Sequence, residues 1–159
     1  MMARLVVSVA GGATCTPSEA TMAEVVGRGL ASAGAILVCG GGSGVMEAAC
    51  RGAIQAGGWT VGFFPGTQAD TGKPFLSLAV PTGMAEARNV LVVRAGRALI
   101  AIGGGYGALS EIALALKLGR RVIGLSTWSA ADARNEPAEI LKARSPEEAV
   151  ELALEGLPV

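Results

Sequence analysis

The sequence predicts a doubly wound, Rossmann-like α/β fold: a mostly parallel sheet of about seven strands between two layers of helices. Short apolar, β-rich runs alternate with helical patterns along the whole chain. Glycine or proline follows most of these runs, and the intervals between them are too short for two domains. We therefore expect one three-layer domain over residues 1–159, with ligands beyond the carboxyl ends of the strands.

The elements are predicted as follows. Strands are expected at residues 5–9, 35–39, 59–64, 75–80, 98–102, 121–125 and 139–142. Helices are expected from Pro17 to about Ala33, from Met46 to Ile54, after Thr82 as a candidate N-cap, from the second glycine turn to Gly119, and after Ser145. Capping-box spacing occurs at residues 16–19 and again at 145–148, whereas residues 67–74 and 126–137 have the composition of loops.

Two predicted strands end in the same GGGxG turn, at Gly40–Gly44 and at Gly103–Gly107. A helical pattern follows each turn, and Glu47 and Glu111 stand at nearly equal distances beyond. A strand that enters a helix through glycines presents free backbone N–H groups and the positive end of a helix dipole, which suits a phosphate. The repetition predicts that both turns face one crevice; the alternative is that glycine only lets each helix pack close to its strand.

Neither turn has the Lys-Ser/Thr of a P-loop, and neither fits the dinucleotide fingerprint. A specific dinucleotide or a P-loop nucleotide site is therefore not indicated. Arg88, on the helix before the second turn, would add a positive charge, so that this helix, both turns and Glu111 form one anion-binding pocket.

Composition excludes several classes of function. The chain has no histidine, so that Ser-His and Cys-His nucleophile pairs and histidine-ligated metal sites are impossible. Its three cysteines have no metal-site spacing, and we interpret them as inert thiols, with Cys15 a thiol that could face a ligand. A net charge of zero indicates no nucleic-acid face.

No signal-peptide layout and no apolar run of membrane-spanning length occurs, so we expect a cytoplasmic protein without membrane contact. The chain is 51% hydrophobic with few charges, which favours burial of some surface between subunits in a homodimer or homotetramer.

The motifs resemble the superfamily of Lonely Guy proteins, cytokinin-activating phosphoribohydrolases also labelled possible lysine decarboxylases. That family has an Arg-Lys pair on one helix and then P-G-G-x-G-T-x-x-E; this chain has Arg88-Asn89 and GGGYGALSE at residues 103–111. The resemblance implies that Arg88 and Glu111 occupy catalytic positions beside a phosphate. Gly103, Asn89 and Ala108 replace the family's Pro, Lys and Thr, and no pyridoxal-binding lysine supports the decarboxylase label.

A closer likeness is to the branch of this superfamily that includes molybdenum cofactor carrier proteins. Its motifs are matched by GGSGVMEA at residues 41–48, TGMAEARN at 82–89 and SPEEAV at 145–150. The likeness covers nearly the whole chain and makes Asn89 and Ser110 typical residues, leaving Ala108 as the unusual one.

The resemblance and the turns together define the candidate ligand-binding residues, with no metal ligand among them. They are Gly11, Gly12, Gly41, Gly42, Ser43, Gly44, Val45, Met84, Arg88, Asn89, Gly104, Gly105, Tyr106, Gly107, Ala108 and Glu111.

Two functions are predicted from this set. One is a binding protein that carries a phosphorylated pterin or nucleotide, such as molybdenum cofactor, without changing it. The other is a phosphoribohydrolase that cleaves a nucleoside 5′-monophosphate, with Glu111 stabilising the sugar cation or activating water and Arg88 fixing the phosphate. A third interpretation is structural, with Arg88 and Glu111 only bridging neighbouring helices. Tyr106 could stack on a ring or merely fill the turn, and Trp59 and Trp128 are interpreted as packing residues.

Overall fold

The computed structural model describes residues 4–70 and 72–157. Seven strands and five α-helices alternate along the chain. The strands are β1 (Val6–Gly11), β2 (Ile36–Cys39), β3 (Trp59–Phe64), β4 (Leu78–Pro81), β5 (Ala98–Ile102), β6 (Arg121–Leu125) and β7 (Ile140–Lys142). The helices are α1 (Pro17–Ser32), α2 (Val45–Gln55), α3 (Asn89–Ala95), α4 (Tyr106–Lys117) and α5 (Pro146–Leu154), and a 3-10 turn at Ala85–Arg88 precedes α3.

All seven strands form one sheet in the order β4-β3-β2-β1-β5-β6-β7, and every pairing between them is parallel. The predicted fold class is therefore confirmed, including the number of strands. The chain builds the sheet outward from β1 on one side and then returns to add β5 on the other. This switch point between β1 and β5 is where loops diverge and leave a crevice at the carboxyl edge of the sheet. The assignment of residues 1–159 to one domain stays a prediction.

Helices cover both faces of the sheet, and each face has its own core. On one face α1, α2 and α5 pack against residues such as Val7, Leu37 and Ile100. On the other face α3 and α4 pack against Leu99 and other residues of the central strands. Since neighbouring residues of a strand point to opposite faces, continuous apolar runs such as 98–102 supply both cores.

Two predicted elements differ from the structure. The fourth strand begins at Leu78 and not at Phe75, because the residues before Leu78 hydrogen-bond a side chain. The Thr60 hydroxyl donates to the Phe75 carbonyl over 2.7 Å and accepts from the Ser77 amide. The helix predicted after Thr82 is a 3-10 turn followed by the short α3. Ala85, at the start of that turn, has a φ of +48°, a strained backbone conformation for a residue other than glycine. Arg88 thus ends a tight turn instead of lying within a helix.

The predicted caps Thr16 and Ser145 begin helices, whereas the predicted cap Thr82 does not: the 3-10 turn begins after Met84, and the Thr82 hydroxyl donates to the Phe64 carbonyl. The Thr16 hydroxyl and the Glu19 carboxylate make a complete capping box at α1. At α5 the Ser145 hydroxyl accepts from the Glu148 amide, but the Glu148 carboxylate accepts from the Arg144 amide, so that the box is not closed. Within the described residues no helix is long and apolar enough to cross a membrane.

Candidate functional site

A cleft of about 370 Å³ lies at the switch point, beyond the carboxyl ends of β1 and β5. Its size is within the usual range of small-molecule sites. It is lined by Gly11, Gly12, Ala13, Met46, Pro65, Ala85, Glu86, Arg88, Asn89, Gly105, Gly107, Ala108 and Glu111.

The loop after β1 lies between the two glycine turns. A Cβ built on Gly44 would stand 2.3 Å from the Gly12 carbonyl oxygen, and one built on Gly12 would stand 3.7 Å from the Cα of Gly104. The two turns therefore lie at the same edge of the sheet, on either side of β1, as the repeated motif predicts. The Gly44 backbone comes this close to Gly12 only because Gly44 has no side chain.

The second turn is held from behind by the loop after β6. The Thr127 hydroxyl donates to the Gly103 carbonyl over 2.5 Å, and the Trp128 indole donates to the Gly105 carbonyl over 3.1 Å. No acceptor for the N–H groups of Gly104, Gly105, Tyr106 and Gly107 is found among the residues that the structure describes. These donors stand at the start of α4 and are available to a ligand.

Glu111 lies in the second turn of α4, with 5% of its surface exposed, and its carboxyl group borders the cleft. Burial raises the pKa of Glu111 to about 7, although the nearby charge of Arg88 lowers it. Glu111 therefore changes protonation near neutral pH, when it can either donate or accept a proton.

Arg88 projects from the 3-10 turn toward the end of β2. A Cβ built on Gly40 would lie 2.9 Å from the guanidinium carbon, so the guanidinium packs directly on the Gly40 backbone and a larger residue there would displace it. One guanidinium N–H donates to the Asn89 carbonyl oxygen, while the buried Nε has no partner in the described part of the chain. An anion in the cleft would satisfy the remaining donors.

Arg88 and Glu111 share the cleft without forming an ion pair. No contact of 4 Å or less joins their charged groups, although four other ion pairs are present among the described residues. Their positions do not match the structural interpretation, in which the two side chains bridge neighbouring helices. Each keeps bonding capacity that nothing in the described protein uses.

The first glycine turn differs from the prediction. The Val45 N–H donates to the Gly12 carbonyl over 3.0 Å, so it is not free for a phosphate. Lys73 lies across the turn, with its ammonium 3.0 Å from the Ser43 hydroxyl and 3.9 Å from the Glu47 carboxylate. Gly41 and Gly42 line a separate small cavity and not the cleft.

The predicted site residues thus divide into two groups. Those that line the cleft are Gly11, Gly12, Arg88, Asn89, Gly105, Gly107, Ala108 and Glu111. Those that do not are Gly41, Gly42, Ser43, Gly44, Val45, Met84, Gly104 and Tyr106. Sequence reasoning missed Ala13, Met46, Pro65, Ala85 and Glu86. Pro65 directly follows a predicted strand, which is a signal in the sequence; the other four lie within two residues of predicted site residues.

Tyr106 and Met84 remain exposed next to the cleft, with 82% and 42% of their surfaces accessible. The ring of Tyr106 lies 5.8 Å from that of Trp128, tilted by 35°. Trp128 therefore does more than pack, because it contacts Tyr106 and hydrogen-bonds the Gly105 carbonyl.

Comparison with known proteins identifies the relatives of this fold and cleft. The model of the SLOG cluster4 family matches residues 4–150. The chain belongs to this family. An uncharacterized protein of Archaeoglobus fulgidus is 42% identical to it over 119 residues, which cover 75% of this chain and 78% of that one.

This SLOG protein is also similar to proteins of known structure. The molybdenum cofactor binding protein of the phototrophic bacterium Rippkaea orientalis is 34% identical, with a TM-score of 0.84 and 96% of both chains covered. The molybdenum cofactor carrier protein of Chlamydomonas reinhardtii is 29% identical, with a TM-score of 0.78 and 93% and 94% of the chains covered. The resemblance to the Lonely Guy superfamily and to its carrier branch is confirmed, and these neighbours support a ligand-binding protein of this superfamily.

Proposed function

We propose that this SLOG protein binds the phosphate of a phosphorylated pterin in the cleft and acts as a carrier of molybdenum cofactor. The observation that carries the proposal is the set of unused donors around one cavity. The amides of Gly105 and Gly107 and the guanidinium of Arg88 border the same cleft. The two amides have no described protein acceptor, and the guanidinium uses one N–H on Asn89 while its Nε has no described partner. Such donors recognise a phosphate without doing chemistry on it.

The rest of the cleft suits the organic part of such a ligand. Met46, Pro65 and Ala108 give it apolar walls, and Glu86 and Asn89 give it polar groups that could bond ring nitrogens. Tyr106 at the rim adds an aromatic face. The strong likeness over 96% of a molybdenum cofactor binding protein agrees with this assignment.

Hydrolysis of a nucleoside 5′-monophosphate is the second candidate, and Glu111 favours it. A buried carboxyl with a pKa of about 7 can serve as a general acid or base at neutral pH. Asn89 and Ala108, however, stand where the resemblance to full Lonely Guy enzymes implies a lysine and a threonine. The chain therefore has fewer groups for fixing a substrate than those enzymes.

Ligand-dependent thermal unfolding tests the carrier proposal. A ligand at 100 times its Kd stabilises the folded state by about 2.7 kcal/mol, which corresponds to a rise in Tm of roughly 5–10 °C for a chain of this size. We expect this rise with molybdenum cofactor and no chemical change of the ligand. If none of the three ligands (molybdenum cofactor, AMP and GMP) raises the Tm, both candidate functions are contradicted.

Chromatography of the same mixtures separates the two candidates. Release of free base from AMP or GMP that is abolished in Glu111→Gln and kept in Glu47→Gln would establish the hydrolase and overturn the carrier. Glu47 is the matched control because it follows the first glycine turn as Glu111 follows the second. The expected results are unchanged nucleotide and retained cofactor binding.

Three further assignments stay predictions: a homodimer or homotetramer, no nucleic-acid partner and a cytoplasmic location. Large apolar side chains do remain exposed at the edge of the sheet formed by β3 and β4, where Trp59 and Leu78 are about half accessible. Such residues are suited to a subunit contact.

A further inference from the structure

Two cysteines interpreted from the sequence as inert core residues lie side by side behind the first glycine turn. Cys39 is the last residue of β2, and Cys50 lies on α2, so the pair joins the two elements that the turn connects. Their Sγ atoms are 3.7 Å apart, and both side chains are buried. This separation is well above the ~2.05 Å of a disulfide bond and is short enough for one ion to contact both sulfurs.

A third sulfur borders the same place. Cys39, Cys50 and Met46 all line a small cavity of about 10 Å³, which is roughly the space that one water-sized sphere needs. The sulfur of Met46 lies toward this cavity, since a Cβ built on the lining residue Gly42 would stand 3.2 Å from its Sδ. Two thiols and a thioether thus surround a space of atomic size.

The first glycine turn also contacts one of these sulfurs. The Gly41 amide donates a hydrogen bond to Cys39 Sγ over 3.4 Å, so this sulfur lies directly against the turn that connects β2 with α2.

We propose that Cys39, Met46 and Cys50 form a binding site for a soft monovalent metal ion, Cu(I). Binding forms two Cu–thiolate bonds and one Cu–thioether bond, releases one proton from each cysteine and changes no oxidation state. Thiolate and thioether ligands select Cu(I) over the harder divalent ions. Zinc requires four firm ligands, and no group of three His, Cys, Asp or Glu side chains in the described residues could supply them.

The site adjoins the ligand cleft through one residue. Met46 lines the small cavity and the cleft, so coordination of its sulfur would fix a side chain in the wall of the cleft. The proposal does not depend on the ligand that the cleft binds, because it rests only on the three sulfurs.

Titration of the reduced wild-type protein with Cu(I), in the presence of a chromophoric Cu(I) chelator, is the first test. We expect one equivalent to be retained and X-ray absorption at the copper edge to show a shell of sulfur alone. Cys15→Ser is the matched control, since Cys15 lies outside the cluster and its loss should leave the stoichiometry unchanged. The Cys39→Ser/Cys50→Ser variant should lose the bound ion, and Met46→Leu should retain it more weakly.

Thiol protection tests the site without any variant, in case the double substitution prevents folding. Because Cys39 and Cys50 are buried, their alkylation is measured in urea below the unfolding midpoint, where transient opening of the wild-type protein exposes them. One equivalent of Cu(I) should slow alkylation of Cys39 and Cys50 by a small reagent and leave Cys15 reactive, as read by peptide mass spectrometry. Copper that binds through Cys15, that shows nitrogen or oxygen ligands, or that leaves the reactivity of Cys39 and Cys50 unchanged would overturn the proposal and make the pair a packing contact.

Discussion

The two GGGxG turns have the same sequence pattern and flank the same strand, yet only one of them opens onto the cleft. At the first turn, Gly40–Gly44, the Val45 amide is used by Gly12 and Lys73 lies across Ser43. At the second turn, Gly103–Gly107, the carbonyls are held by the loop after β6 and the amides are left without a described acceptor. Equal motifs therefore do not imply equal roles, because the segments packed on each turn decide which groups stay available.

The acidic residues that follow the two turns also differ in burial and in contacts. Glu111 is buried beside the cleft and has a raised pKa. Glu47 is partly exposed and contacts Lys73 at 3.9 Å. The connection between β3 and β4 supplies Lys73 to the first turn, whereas the second turn has no such cover in the described chain.

The largest expected difference between the turns concerns alanine substitution. Gly44 has a φ of +65° and no room for a Cβ, whereas Gly105 has a φ of −93° and no atom within 4 Å of a built Cβ. Gly44→Ala should lower the free energy of unfolding by about 3 kcal/mol or more through backbone strain and overlap with Gly12. Gly105→Ala should change it by less than about 1 kcal/mol. Urea unfolding measures both, and equal costs would remove the distinction between the turns.

Glu111 should make stability depend on pH. Because its pKa of about 7 in the folded state exceeds the ordinary value of 4.5, the folded state holds the proton more tightly. This stabilisation is complete below pH 4.5 and is lost as the pH rises through 7, a change of up to about 3 kcal/mol. Glu111→Gln should remove that dependence and be more stable than wild type at pH 8.

Glu47→Gln is the control for this measurement, since its ion pair with Lys73 should contribute no more than about 1 kcal/mol. Unfolding curves at pH 5, 6, 7 and 8 compare the three proteins. If wild type and Glu111→Gln change in parallel across this range, the carboxyl group is not buried as described.

Arg88→Met should weaken binding of a phosphate ligand such as AMP or molybdenum cofactor, because it removes charge-assisted hydrogen bonds worth about 1.5–3 kcal/mol, or roughly 10–100-fold in Kd. Arg94→Met removes the same charge from α3 at a residue that does not line the cleft, and it should leave Kd within about twofold. Calorimetric titration measures each Kd. Similar losses in both variants would indicate a general charge effect in place of a contact.

The smallest effects should come from the segments that pack on the turns. Thr127→Val removes the donor to the Gly103 carbonyl and should cost about 1 kcal/mol of stability, with weaker ligand binding because the second turn loses a support. Lys73→Met should cost between 0 and about 1 kcal/mol and leave ligand affinity unchanged. A larger effect of Lys73→Met on affinity would mean that the first turn also takes part in binding.

The sequence by itself determined the fold class, the number of parallel strands and the complete cap of α1. These features depend on short-range information: apolar runs, glycines after strands, and a threonine three residues before a glutamate. It also predicted that Arg88, Glu111 and the second turn lie at one site, because parallel strands place their carboxyl ends at the same edge of the sheet.

Only the tertiary structure decided which glycine turn is open, how deeply Glu111 is buried, and that Cys39, Met46 and Cys50 surround one small cavity. Lys73 and Ser43 are 30 residues apart, and Thr127 and Gly103 are 24 apart. Contacts over such separations follow from how whole loops pack, which the local pattern of a motif does not encode.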